Sequence, residues 1–154
     1  MPTLPATASR ISRNTAGAVN RRIAERTERN VAFLAAHPER IDRRLRELDE
    51  EWDTERVLEA NAATLALGGT VLGILEDRRF LALPVVVTAF LLQHALQGWC
   101  PPLPVIRRLG VRTAEEINRE RTALKALRGD FAAIGQAATG DPRARAEAAL
   151  RAAA

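Results

Sequence analysis

The sequence predicts an all-α membrane protein with a transmembrane helical hairpin between amphipathic cytoplasmic helices. Three observations predict this fold class. Charged residues make up 27% of the chain, yet within residues 60–106 they occur only in the cluster Glu76–Arg79. Apolar, uncharged segments lie on both sides of that cluster. Outside the region, apolar residues recur with the period of an amphipathic helix.

The two apolar segments have the lengths that a membrane span requires. Residues 60–75 form a run of 16 uncharged residues, and residues 80–99 form a run of 20. A span needs about 20 predominantly apolar residues, with a range near 17–25. The second segment qualifies alone, and the first qualifies when Val57 and Leu58 are included. The short turn between them predicts a hairpin that crosses the bilayer twice.

The alternative is a soluble protein in which both segments are buried in a small helical bundle. The first segment is short and rich in Ala, and the second contains polar residues, which fits this alternative. However, a soluble helix usually has a polar face, and neither segment has a full one. Length and exclusion of charge therefore favour the membrane.

The distribution of arginine predicts the orientation of the hairpin. Arginines are frequent outside the two segments and scarce in the turn between them. Those outside are Arg40, Arg43, Arg44, Arg46, Arg56, Arg107, Arg108, Arg112 and Arg119, and those in the turn are Arg78 and Arg79. Because cytoplasmic flanks are enriched in arginine and lysine, we expect a bacterial inner-membrane protein with both termini in the cytoplasm.

The rest of the chain divides by composition. We expect a flexible tail (1–17), amphipathic cytoplasmic helices (18–56), the two-span membrane domain (57–113), a cytoplasmic helix (114–130) and an Ala-rich tail (131–154). Within residues 18–56, Thr27 is suited to cap a short helix ending near His37, and Pro38 suits the first turn of the next helix. That next helix has an apolar stripe formed by Ile41, Leu45, Leu48 and Trp52. Thr113 and Glu116 have the spacing of a capping box.

The composition argues against several classes of function. The formal net charge is +4, but acidic residues alternate with the arginines, Tyr is absent, and no reading motif is present, so we expect no nucleic-acid partner. The single cysteine cannot form an internal disulfide or a multi-cysteine zinc site. No secretory signal is evident. Residues 1–24 contain arginines and no acid, which fits either a targeting segment or a disordered tail.

A stripe of small residues marks one face of the first apolar segment. Its members are Ala62, Ala66, Gly69 and Gly73. Small residues at this spacing let two helix backbones approach closely. The stripe predicts a helix-packing face, which either closes the hairpin or forms an interface between subunits.

Polar residues form a ridge near the end of the second segment. Gln93, His94 and Gln97 share a helix face because they lie three and four residues apart. The simpler interpretation is a hydrogen-bonded ridge near the membrane boundary, and the alternative is a proton or ligand site at His94. An imidazole without a carboxylate makes a poor proton relay, which favours the first interpretation.

Cys100 is the candidate thiol site, together with His94. A reactive thiol needs a cation, a metal or a helix N-terminus to lower its pKa. Cys100 follows a helix C-terminus, which disfavours a thiolate, although Arg107 and Arg108 could lie nearby. No phosphate-binding loop, HExxH or Gly-x-Ser-x-Gly motif occurs, and the only serines are Ser9 and Ser12. We therefore expect no enzyme, no catalytic residues, no metal and no cofactor.

The stretch GWCPPLPVIRRLGVRT resembles the YgaP-like small inner-membrane proteins. Those proteins have an apolar two-helix hairpin, a Gly-x-Cys-Pro element, a short apolar stretch, a Leu-Gly pair and a Thr. The corresponding positions here are Gly98, Cys100, Pro101, Leu109, Gly110 and Thr113. The resemblance covers about Thr54 to Thr113 and implies a two-span inner-membrane domain. Some relatives are fused to a rhodanese domain, which implies a sulfur or redox contact at Cys100.

We therefore expect a non-enzymatic inner-membrane scaffold or accessory module. It would self-associate as a homo-oligomer, with the lipid bilayer and a cytoplasmic protein as further partners. One alternative is a thiol- or sulfur-handling membrane accessory that uses Cys100. The other is a soluble helical adaptor.

Overall fold

The described residues are helical, which confirms the all-α part of the predicted class. The computed structural model describes residues 9–132, 134 and 142–153, and these residues contain no strand. The α-helices of these ranges are α1 (Arg10–Arg13), α2 (Gly17–Ala35), α3 (Ile41–Glu50), α4 (Thr54–Leu75), α5 (Ala82–Gln97), α6 (Leu103–Arg108), α7 (Ala114–Arg128) and α8 (Pro142–Ala153). Short 3₁₀ turns at Pro38–Arg40 and Arg78–Leu81 lead into α3 and α5.

The first apolar segment forms α4, which begins earlier than the apolar run itself. Asp53 caps the helix, because its side chain accepts a hydrogen bond of 2.7 Å from the backbone N–H of Arg56. The helix then continues for 22 residues and ends before Glu76. At 1.5 Å per residue it is about 33 Å long, enough to cross the hydrocarbon core of a bilayer.

The second apolar segment forms α5, and its two ends have local causes. Pro84 lies in the first turn, where its missing N–H costs no intrahelical hydrogen bond. Gly98 ends the helix in the left-handed conformation, with φ of 75°, and donates a backbone hydrogen bond of 2.7 Å to His94. The stretches Pro38–Leu75 and Arg78–Gln97, which contain α4 and α5, are long and apolar enough to cross a membrane.

The described residues group into two compact units. The first comprises residues of Met1–Ala24 and Trp52–Glu116, and the second comprises residues of Glu25–Glu51 and Ile117–Ala154. Buried apolar side chains form one core in each unit. The core of the first contains Ile11, Leu58, Cys100, Leu103 and Ile106, and that of the second contains Leu34, Ile41, Leu45, Leu48, Ile117 and Leu124.

The predicted apolar stripe is only partly an element of the second core. Ile41, Leu45 and Leu48 are buried there. Trp52 was assigned wrongly to the same helix, because α3 ends at Glu50. The ring of Trp52 is half-exposed and lies under the guanidinium of Arg56, 4.4 Å from the ring centroid. This cation–π contact replaces the expected core contact.

Residues 9–35 are helical over more of their length than the sequence predicted. Residues 1–8 of the expected tail lie outside the described residues. Within 9–17, α1 forms, Ile11 is buried, and the side chain of Arg10 donates to the carbonyl oxygen of Ala95 at 3.0 Å. The cap predicted at Thr27 is wrong, because α2 already begins at Gly17. No helix breaker separates these two positions, so nothing stops the helix from extending.

The predicted cytoplasmic helix and C-terminal tail have partial counterparts. The helix expected over 114–130 is α7, which runs from Ala114 to Arg128. Within the segment 131–154, Pro142–Ala153 form α8, and residues 133, 135–141 and 154 lie outside the described residues.

A buried ion pair within the first unit contacts the start of α7. The capping box is confirmed, because Glu116 accepts from the backbone N–H of Thr113 at 2.8 Å and the Thr113 hydroxyl accepts from that of Glu116 at 3.2 Å. The same carboxylate accepts two hydrogen bonds of 2.7 Å from Arg107, whose side chain is fully buried. The remaining donors of Arg107 reach Thr15, Asn20 and the carbonyl of Val111.

Candidate functional site

The predicted helix-packing face brings α4 against the start of α5 within one chain. Gly69 and Gly73 are buried, whereas Ala62 and Ala66 are half-buried. A Cβ atom at Gly73 would lie 2.5 Å from Cδ2 of Leu81, and one at Gly69 would lie 2.7 Å from Cδ of Pro84. The glycines therefore permit a backbone approach that any larger residue would prevent. This part of the stripe is therefore covered by the same chain.

A cavity opens at the other end of the two helices. It has a volume of about 440 Å³ and is lined by residues of α4, α5, α6 and the turn before α6. Apolar walls come from Leu58, Leu65, Val87, Phe90, Leu91 and Val105. The polar lining comes from Asn61, His94 and Cys100. The structure thus brings both residues of the candidate thiol site to a single cavity.

His94 is the most unusual side chain in this cavity. It is only 5% exposed, and no described residue forms a hydrogen bond with either of its ring nitrogens. Leaving a buried polar group without a partner is unfavourable, and most buried polar groups have one. The expected hydrogen-bonded ridge is therefore not formed at His94 within the described residues. Its neighbours on the ridge differ, because Gln93 is half-buried and Gln97 is exposed.

A smaller, charged cavity adjoins the same histidine. It has a volume of about 140 Å³ and is lined by Arg10, Glu55, Glu59 and His94, among others. Arg10 and Glu55 form an ion pair at one side of it. His94 thus lies between a mainly apolar cavity and a charged one. The sequence analysis did not predict this second cavity. Arg10, which lines it, is 85 residues from Ala95, whose carbonyl oxygen it binds, and no local pattern indicates a contact over that separation.

Cys100 is buried in the core of the first unit and lines the apolar cavity. Burial raises the pKa of its thiol, and the nearby backbone N–H of Leu103 only partly offsets this effect. The thiol is therefore protonated at neutral pH, which is the less nucleophilic form. The expected help from Arg107 is not provided, because all five of its N–H donors are engaged by other groups.

The described residues include no cluster of three or more His, Cys, Asp or Glu side chains that could hold a metal ion. What the geometry offers is an apolar cavity with one buried imidazole, one amide and one protonated thiol. Such a cavity is suited to bind a small apolar molecule with few polar atoms.

Two further residues of the site were missed by sequence reasoning. Asn61 lines the apolar cavity, and its side-chain amide donates to the carbonyl oxygen of Val57 at 2.8 Å. Phe90 supplies the aromatic wall. Phe90 lies four residues before His94, on the same helix face, and Asn61 is adjacent to Ala62. Neither position by itself predicts a cavity.

Comparison with protein-family models, with curated proteins and with solved structures finds no match to this chain. The resemblance to the YgaP-like inner-membrane proteins therefore stays a prediction.

Proposed function

We propose that this protein is a non-enzymatic integral membrane module of the bacterial inner membrane, with α4 and α5 crossing the bilayer as a hairpin. The observation that carries the proposal is the outward exposure of their apolar side chains. The most apolar windows of Pro38–Leu75 and Arg78–Gln97 are only 17% and 6% buried. Large exposed residues include Leu67, Ile74, Leu75, Val85 and Leu92.

This exposure discriminates between lipid and water as the surroundings of the helices. In a soluble helical adaptor, apolar helices of this length would be covered by other parts of the protein. If this protein were soluble, the exposed apolar side chains of α4 and α5 would face water. Large contiguous apolar patches of this kind are rare on the surfaces of monomeric soluble proteins. In a bilayer the same surface faces acyl chains at no cost.

The positions of the two tryptophans also support the proposal. Trp52 precedes α4 and Trp99 follows α5, and both rings are partly exposed. The start of α4 and the end of α5 share one cavity, which Leu58 and His94 both line. The tryptophans therefore flank the same end of the helix pair, as expected of aromatic anchors at a membrane–water boundary.

Single-cysteine labelling tests both the crossing and its direction. In a Cys100→Ser background, Asp77→Cys lies in the exposed turn and Glu39→Cys lies before α3. We expect a membrane-impermeant maleimide to label Asp77→Cys in intact cells and Glu39→Cys only after permeabilisation. Glu147→Cys, on the exposed surface of α8, is the matched control for the C-terminal side. Protection of Asp77→Cys in intact cells, or labelling of the other two, would contradict the proposal.

Self-association remains part of the proposal, but not through the glycine face. Because Gly69 and Gly73 are covered by the start of α5 and the turn before it, a second copy would have to use an outward face of the helix pair. We expect Gly73→Ala to weaken packing within the chain while leaving chemical crosslinking between chains unchanged. A selective loss of the crosslinked dimer with intact packing would return the glycine face to a subunit interface. A cytoplasmic protein partner also stays a proposal.

The second candidate function is a thiol- or sulfur-handling membrane accessory. The shared cavity of His94 and Cys100 favours it, whereas the raised pKa of the thiol does not. If the thiol is functional, Cys100→Ser and Cys100→Ala should both impair growth under sulfur or oxidant stress. If Cys100 only fills space, the two variants should grow as the unaltered strain does.

A further inference from the structure

The lining of the apolar cavity defines what kind of molecule it can hold. Among the described residues that line it there is no Arg, Lys, Asp or Glu. An anionic or cationic ligand would therefore be desolvated there without a charged partner, which is unfavourable. The cavity volume of about 440 Å³ is within the range of small-molecule sites. The ligand class that fits is neutral and largely apolar.

His94 adds a polar requirement to this apolar site. It is 5% exposed and faces the cavity with neither ring nitrogen hydrogen-bonded by a described residue. A neutral imidazole carries one N–H donor and one acceptor. A ligand with a carbonyl oxygen would accept the hydrogen bond that the N–H of His94 otherwise lacks. Because the walls of the cavity are mainly apolar, they offer few other groups that could accept this hydrogen bond from His94.

The remaining walls favour a flat ring beside that carbonyl. Phe90 lines the cavity on α5, and Pro101 and Pro102 line it beside Cys100. Aromatic faces and proline rings present flat apolar surfaces, against which a planar ring packs well. Gly69 and Gly73, where the two helices meet closely, are not part of the cavity lining. The walls of the cavity are therefore suited to a planar ring at the level of His94.

We propose that this cavity binds a quinone, a neutral lipid-soluble ring whose carbonyl oxygen accepts a hydrogen bond from His94. This inference rests on the proposed membrane location, because lipid-soluble rings reach the cavity through the bilayer. It requires only binding and no redox step in this protein. The cavity between α4 and α5 would then make the module a reservoir or sensor of membrane quinone.

A direct test measures binding to the purified full chain in detergent. The probe is a benzoquinone with a decyl chain and all other ring positions substituted, so that Cys100 cannot add to the ring. Its binding is followed by quenching of Trp99 in a Trp52→Phe background. The matched ligand is decylbenzene, which has a comparable ring and chain but no carbonyl, measured by competition with the quinone. We expect the quinone to bind about two- to tenfold more tightly, the value of one hydrogen bond of ordinary strength.

Two variants and a control locate the binding. His94→Phe keeps a ring but removes the donor, and should weaken quinone binding about two- to tenfold while leaving decylbenzene binding unchanged. Ala62→Phe fills the cavity and should abolish quinone binding. Ala63→Phe, one residue along on the exposed face of α4, should bind as the unaltered chain does.

Each other outcome overturns the inference. Equal affinity for quinone and decylbenzene would mean that any apolar chain fills the cavity. Unchanged quinone binding in Ala62→Phe would place the ligand elsewhere. If His94→Phe fails to fold, the comparison of the two ligands on the unaltered chain still decides. Because binding is measured in detergent, failure here is separable from failure of the membrane proposal, which the labelling of Asp77→Cys tests.

Discussion

Arg107 and Glu116 form a buried, bidentate ion pair, in which each of the two terminal guanidinium nitrogens lies 2.7 Å from a carboxylate oxygen. The side chain of Arg107 is fully buried, while that of Glu116 is 22% exposed. Since Glu116 is also the capping-box residue of α7, one carboxylate both starts a helix and neutralises a buried cation. The pair therefore couples local helix formation to the packing of the first unit.

Removing one member of this pair should destabilise the protein strongly. Arg107→Ala leaves Glu116, Thr15 and Asn20 without their shared donor, and we expect a loss of about 3–5 kcal/mol in the free energy of unfolding. The measurement is denaturant unfolding in detergent, followed by circular dichroism. Arg108→Ala is the matched control, because its side chain is exposed. Equal stability of the two variants would show that the pair contributes little.

The contact between α4 and α5 should depend on two of three neighbouring glycines. A Cβ at Gly69 or Gly73 would meet Pro84 or Leu81 at 2.7 Å or less, whereas one at Gly68 would meet nothing within 4 Å. We expect Gly69→Ala and Gly73→Ala to lose about 1–3 kcal/mol through overpacking. Gly68→Ala gains the same helix propensity without the clash and should be neutral or stabilising. Thermal unfolding of the three variants compares them, and a loss common to all three would point to a general effect of alanine.

Gly98 should be sensitive for two reasons that can be separated. Its φ is +75°, and a Cβ there would lie 2.7–2.8 Å from the Cβ and backbone atoms of Arg10. Gly129 has a similar φ of +92° with no atom within 4 Å. Both alanine variants suffer the backbone strain, of order 1–3 kcal/mol, but only Gly98→Ala should also release α1. Limited proteolysis near Arg10–Arg13 tests this, and equal cleavage of the two variants would argue against the contact.

The titration of Cys100 should follow its burial. Because burial raises its pKa, alkylation by a small neutral maleimide should reach half its maximal rate at a higher pH than for Asp77→Cys in the Cys100→Ser background. The sign for stability follows from the same shift. The protonated thiol is favoured in the folded state, so its contribution is complete below the ordinary thiol pKa and is lost as the pH rises through the folded value. A midpoint below that of the exposed cysteine would identify an activated thiol instead.

Much of the architecture followed from local sequence signals. The exclusion of charge around Glu76–Arg79 located α4 and α5, and the capping-box spacing located the start of α7. These signals are strong because they involve residues a few positions apart or one long uniform segment. Helix α5 ends two residues before the uncharged run does, because the left-handed Gly98 stops the helix before Trp99.

What the sequence did not predict depends on partners that are distant in the chain. Thr15 lies 92 residues from Arg107, and Ile11 is buried against residues of α4 and α6. Nothing local to α1 indicates either contact. That His94 has no hydrogen-bond partner among the described residues likewise depends on its surroundings, and not on the spacing of Gln93, His94 and Gln97. Sequence reasoning selected His94 and Cys100 separately, and the fold brought them to one cavity.

Membrane partition of the full chain tests the proposed membrane location most directly. Cells that express the protein are broken, and the membranes are washed with alkaline carbonate, which removes peripheral proteins. We predict that the chain stays in the membrane pellet and enters solution only with detergent. Recovery in the carbonate supernatant, with the purified chain monodisperse in detergent-free buffer, would contradict the placement of α4 and α5 in lipid.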